Sequence, residues 1–183
     1  MKKWMLPFLL LSMSLFIVAC SSDEGSTEEK STNTETTEEN AKSDEMEMKS
    51  ALLDFQKEII NTVNANDSAI YTFESAKAKE EDKPSAEEIA KLKTDAETAA
   101  KTVAEDVQGL EVPAELDSKK DEIQGALDDL SKSYETRAAN LSDEANAEYT
   151  ESDEQFASFE EKMAAVYEEA GLTKPSFSAD IVD

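Results

Sequence analysis

The sequence predicts an all-α protein: an up-down antiparallel bundle of four helices, or of three if the last two are continuous, behind a disordered tether. Three observations carry this. From Met48 onward apolar residues recur at spacings of three, four and seven, the period of one helix face. Helix start and stop signals cut that pattern into pieces of bundle length. No segment alternates apolar and polar residues between turn residues, as a half-buried strand does.

The domain is expected over residues 46–183. Its first helix carries Met48, Leu52, Phe55, Ile59, Val63, Ile70 and Phe73 on one stripe and runs from Met46 to about Glu80. Asn66 falls on this stripe, where a polar residue sets register or hydrogen-bonds a neighbouring helix. Glu81-Asp82-Lys83-Pro84 ends the helix. Ser85 with Glu88 three residues on is a capping box, and Ile89, Leu92, Ala96, Ala99, Val103 and Val107 follow as the second stripe. Gly109 suits a left-handed stop with Leu110 folded back on the last turn, and Pro113 suits the first turn of the next helix.

The third helix begins near Ala114 and carries Leu116, Ile123, Leu127, Leu130, Tyr134, Ala138 and Leu141. A continuous helix from there to Gly171 would run far past the second helix, leaving its stripe without a partner. A break near Leu141-Ser142 is therefore expected, with Ser142 capping a fourth helix of stripe Ala145, Tyr149, Phe156, Phe159, Met163 and Val166. Gly171-Leu172 with Pro175 repeats Gly109-Leu110 with Pro113, a hint of two related hairpins. Phe177 and Ile181 in the tail either pack back on the bundle or form a short docking strip.

Ahead of the domain lie two segments of different composition. Residues 1–19 read as a signal peptide: Lys2 and Lys3 form a positive start, and the apolar run from Trp4 to Ala19 is shorter than the ~20 residues that cross a bilayer as a helix. Residues 20–45 form an acidic tether. Ser21 to Glu45 holds ten Ser/Thr, nine Asp/Glu, two Lys and no large apolar residue, too little apolar surface to offset chain entropy.

At the junction, Ile17-Val18-Ala19-Cys20 resembles the lipobox of bacterial lipoproteins. That resemblance implies cleavage between Ala19 and Cys20 and a diacylglycerol on the Cys20 sulfur, anchoring the chain to the outer, extracytoplasmic face of the cell membrane. The lipid bilayer is then the first partner, and two acyl chains give durable anchoring. Together with the acidic Ser/Thr tether and Gly109-Leu110-Glu111-Val112-Pro113 leading into Leu116 and Leu127 to Tyr134, the layout resembles the small helical lipoproteins of low-GC Gram-positive bacteria. Many of these have no assigned activity, and the resemblance supplies no functional residue beyond Cys20.

Composition narrows the function classes. The 183-residue chain has 43 acidic and 18 basic residues and a formal net charge of -25. After Ala19, 16 basic residues face the same 43 acids, giving -27. Such a surface repels phosphate backbones and anionic headgroups, so nucleic acid is not an expected partner. There is no histidine and one cysteine, which removes the usual general base and the His and Cys metal sites. Asn64-Ala65-Asn66-Asp67-Ser68 comes nearest to a calcium loop but lacks its Gly and closing Glu. Gly-rich phosphate loops and Gly-x-Ser-x-Gly elbows are absent. Adjacent acids such as Asp128-Asp129, Glu160-Glu161 and Glu168-Glu169 point apart on a helix. The sequence therefore predicts no enzyme, no cofactor and no metal.

The leading expectation is a non-enzymatic interaction domain contacting an envelope protein or a cell-wall polymer. The alternative is a small-ligand or cation-binding protein with a site between helices, near Tyr71 and Tyr134. Asn66, Tyr71, Tyr134 and Tyr167 are the candidate contact residues. Tyr71 and Tyr167 sit just off the stripes, which favours them as exposed contacts.

Overall fold

The computed structural model describes residues 35–181, and every regular element among them is helical. The signal peptide, Ala19, Cys20 and the first part of the tether lie outside the described residues. Helix α1 spans Glu35–Asn64, α2 Ser68–Lys77, α3 Ala86–Gln108, α4 Lys120–Asn140, α5 Thr150–Glu169 and α6 Phe177–Asp180; a 3-10 turn, Ala114–Lys119, precedes α4. Helix α4 packs against both α3 and α5, α2 packs on α3, and α1 lies against α3 and the 3-10 turn.

Four boundaries differ from the sequence reading. Helix α1 begins ten or so residues ahead of Met46, inside the acidic segment, where Lys49 pairs with Glu45 one turn back at 2.6 Å. The first predicted helix is two: the run Asn64 to Ser68, all poor helix formers but Ala65, breaks between α1 and α2. Its amides turn back early, Asn66 N and Asp67 N both donating to Val63 O. The break at Leu141 is present, but Ser142 caps no helix. Its hydroxyl accepts from Glu144 N at 3.2 Å inside a loop, α5 starts at Thr150, and Ala145 is exposed on that loop instead of lying on a stripe. Finally, the third predicted helix opens as the 3-10 turn, with Pro113 at its cap position.

The stripes otherwise meet as one core. Leu52, Phe55, Ile59 and Val63 of α1 pack with Val103 and Val107 of α3, Ile123, Leu127 and Leu130 of α4, and Phe159, Met163 and Val166 of α5. Small Ala96, Ala100 and Ala104 give α3 a face that neighbours approach closely. Ser131 uses this, donating to Ala104 O at 2.9 Å across the α3–α4 contact. The tail packs back: Phe177 meets the Phe159 ring at 4.6 Å between centroids, and Ile181 is buried.

The two glycine stops are not equivalent. Gly171 is left-handed (φ 69°), and Leu172 N→Tyr167 O (2.8 Å) with Gly171 N→Glu168 O (3.0 Å) closes a Schellman motif. Gly109 keeps a right-handed φ of -80°, so the expected left-handed stop does not form there.

Candidate functional site

A cleft of about 260 Å³ opens between the α1–α2 turn, α2, α4, α5 and the C-terminal tail. Ile70, Tyr71, Tyr134, Phe156 and Ile181 supply its apolar walls, and Asp67, Ser133, Arg137, Asp153 and Ser178 its polar groups. The remaining surface grooves are more open to solvent.

Each wall has a local cause. The break after Asn64 resets the helix phase, so that Asp67, Ile70 and Tyr71 face α4 at the head of a new helix. On α4, Ser133, Tyr134 and Arg137 occupy adjacent positions of one face. The Ser133 hydroxyl donates to Ser152 O at 2.8 Å, which fixes α5 against α4. Arg137 is held from several sides: Nε donates to Ser152 Oγ at 3.1 Å, Nη2 to Asp153 Oδ1 at 2.7 Å, and the guanidinium lies 4.2 Å from the Tyr149 ring centre. The tail closes the remaining side. Tyr71 Oη donates to Ile181 O at 2.7 Å, and Asn64 Nδ2 donates to Asp180 O at 3.0 Å.

Tyr134 is 9% exposed, and its hydroxyl makes no hydrogen bond to any described residue. Burial, with Tyr71 and Asp67 nearby, raises its pKa well above the ordinary tyrosine value, so the hydroxyl keeps its proton. It therefore presents both a donor and an acceptor in a mostly apolar recess.

Of the four candidate contact residues, the structure brings Tyr71 and Tyr134 together in this cleft. Asn66 lies elsewhere, donating from Nδ2 to Asp106 Oδ2 of α3 at 3.0 Å. Tyr167 is no exposed contact: it is 1% exposed, and its hydroxyl donates to Leu52 O at 2.8 Å, with Gln56 Oε1 2.9 Å away. One residue off the α5 stripe still falls within the buried arc because α1 flanks α5 there. Sequence reasoning missed Asp67, Arg137 and Asp153, whose charges look like ordinary surface when only one helix is considered.

Behind the cleft sits a second polar cluster. Lys77, 3% exposed, bonds Glu74 Oε2 (2.8 Å), Tyr149 Oη (2.8 Å) and Ser142 O (3.2 Å). Burial is the largest influence on its ammonium and pulls its pKa down; the contacts to Glu74 and Tyr149 outweigh that and hold it above the ordinary lysine value. A charged, fully engaged ammonium is a structural tie and not a nucleophile.

Among the described residues no cluster of His, Cys, Asp or Glu is arranged to hold a metal ion, and no helix is long and apolar enough to cross a membrane. No protein family, curated protein or solved structure matches the chain.

Proposed function

We propose that this chain is a lipid-anchored, extracytoplasmic binding protein without enzymatic activity, whose helical domain holds a small ligand in the cleft beside Tyr134. The observation that carries the ligand site is the cleft itself: a recess between helices, mostly apolar, with a few convergent polar groups, is the usual form of a small-molecule site. The anchor rests on Ile17-Val18-Ala19-Cys20 and the run before it. The absence of histidine from the sequence favours binding over acid-base chemistry. This reading moves a site between helices ahead of contact by a bundle face.

Thermal melts of the purified protein against a small-molecule panel test the site. A ligand at 100 times its dissociation constant adds about 2.7 kcal/mol, a shift of several degrees. Ser178 is exposed on the cleft wall, so Ser178→Trp blocks the cleft from outside and should abolish the shift. A shift that survives in Ser178→Trp places binding elsewhere. For the anchor, Cys20→Ala should release the protein into the medium or leave an unprocessed precursor; mature-sized, membrane-bound Cys20→Ala protein would sink that part.

A second reading, contact with an envelope protein or wall polymer, draws on Met46 and Leu53. They stand 72% and 44% exposed one heptad apart on α1. Crosslinking on whole cells from position 46 or 53 separates it from the first: a specific adduct supports it, and labelling that spreads over the whole surface proteome does not.

A further inference from the structure

The cleft has a charge sign and a chemistry. Asp67 and Asp153 line it against a single guanidinium, Arg137. That guanidinium is already committed to Asp153, Ser152 and the Tyr149 face. An anionic ligand would have to draw it away from these contacts, and first approach a chain of formal charge -25. The same field concentrates cations at the cleft mouth. Inside, the aromatic groups Tyr71, Tyr134 and Phe156 stand among the lining residues that include the Asp67 carboxylate. Aromatic faces beside a carboxylate attract an organic cation through the ring quadrupole and through charge. A neutral apolar guest would bury the Tyr134 hydroxyl with nothing to bond, at a desolvation cost; an ammonium N–H can donate to that oxygen.

We infer that this cleft recognises a small organic ammonium ion, with its apolar body against Ile70, Phe156 and Ile181 and its charged head toward Asp67 and the Tyr134 hydroxyl. The inference rests on the cleft being a ligand site and names the class of ligand. At about 260 Å³ the space suits a compact guest and excludes a large one.

The test is isothermal titration of the full protein with three matched probes: 2-phenylethylammonium, 2-phenylethanol and phenylacetate. Ionic strength is held near about 0.15 M, where exposed charges more than a Debye length apart are largely screened. The ammonium should bind about tenfold or more tighter than the alcohol, and the carboxylate should not bind. Asp67→Asn and Tyr134→Phe should each weaken the ammonium about tenfold, and Ser178→Trp should remove its binding. Tyr134→Phe conserves the packed ring, so it keeps the test open if Asp67→Asn fails to fold. Phenylacetate binding as well as the ammonium overturns the inference. Equal binding of alcohol and ammonium, blocked by Ser178→Trp, overturns it too but leaves the cleft as a ligand site. Ammonium binding that persists in Ser178→Trp and vanishes at about 1 M salt is diffuse surface attraction, and both readings then fail. If no probe binds, the inference falls.

Discussion

Lys77 Nζ donates to Tyr149 Oη at 2.8 Å, joining the end of α2 to the loop that leads into α5. The same hydroxyl donates to Glu74 Oε1 at 2.9 Å. Tyr149 thus completes both halves of an ion pair buried at its lysine end. Tyr149→Phe keeps the ring under Arg137 and removes only the oxygen, so it should cost about 1–3 kcal/mol in chemical denaturation. Lys77→Ala should cost about 2–4 kcal/mol, and Lys77→Met, which refills the space, clearly less. Because the folded lysine pKa is raised, its contribution is complete below about 10.4, the ordinary value, and is lost as pH rises through the higher folded value. The wild-type advantage over Lys77→Met should therefore shrink only in strong alkali.

The glycine stops predict opposite signs. At Gly171 a side chain would be forced into the left-handed region (φ 69°), and Gly171→Ala should cost about 1–2 kcal/mol. At Gly109 an added Cβ would lie 3.4 Å from Asp106 O with an ordinary φ. Gly109→Ala should be neutral or stabilise by about 0.4–1 kcal/mol through the unfolded chain. Urea denaturation of the two variants side by side checks this; equal losses would refute the distinction.

The capping box at α3 sets an acid limb. Ser85 N donates to Glu88 Oε2 at 2.8 Å and Ser85 Oγ lies the same distance from it, while Glu88 N donates back to Ser85 Oγ at 3.3 Å. The backbone N–H and then the hydroxyl of Ser85 hold the Glu88 carboxyl below its ordinary pKa. A depressed carboxyl contributes above its unfolded pKa of about 4.3 and loses that contribution as pH falls through the folded value. Glu88→Gln should therefore melt below wild type at pH 7 and converge with it near about pH 3.

The tail is a structural wall of the cleft. Phe177 is fully buried against Phe159, and Phe177→Ala should cost about 3–5 kcal/mol. Tyr71→Phe removes the hydroxyl that donates to Ile181 O and should cost about 0.5–1.5 kcal/mol. Hydrogen exchange of the amides at 178–181 should rise in both variants; unchanged protection there would mean that other contacts hold the tail.

Much of the fold was written in single-helix patterns. The capping box at Ser85 and Glu88 and the core stripes depend on neighbours three or four residues away, and the break at Leu141 follows from length, since an unbroken helix would outrun its partner. Tyr71 and Tyr134 are legible as groove candidates because both are aromatics close to the helix contacts, Tyr134 on its stripe and Tyr71 just off one. Lys77 was not found, because a lysine with a glutamate three residues before it looks like a surface pair.

By itself, the sequence determined the helical class, the core faces and the acidic, histidine-free chemistry, since these follow from residue type and short-range spacing. The tertiary structure decided where polar residues point. The burial of Lys77 and Tyr167 and the convergence of Asp67, Arg137 and Asp153 on one cleft depend on groups supplied by another helix. The bond from Tyr167 to Leu52 O crosses more than a hundred residues of chain. Whether such a residue is surface, tie or site depends on which distant carbonyl, carboxylate or ring folding brings against it, and periodicity along one helix carries no record of that.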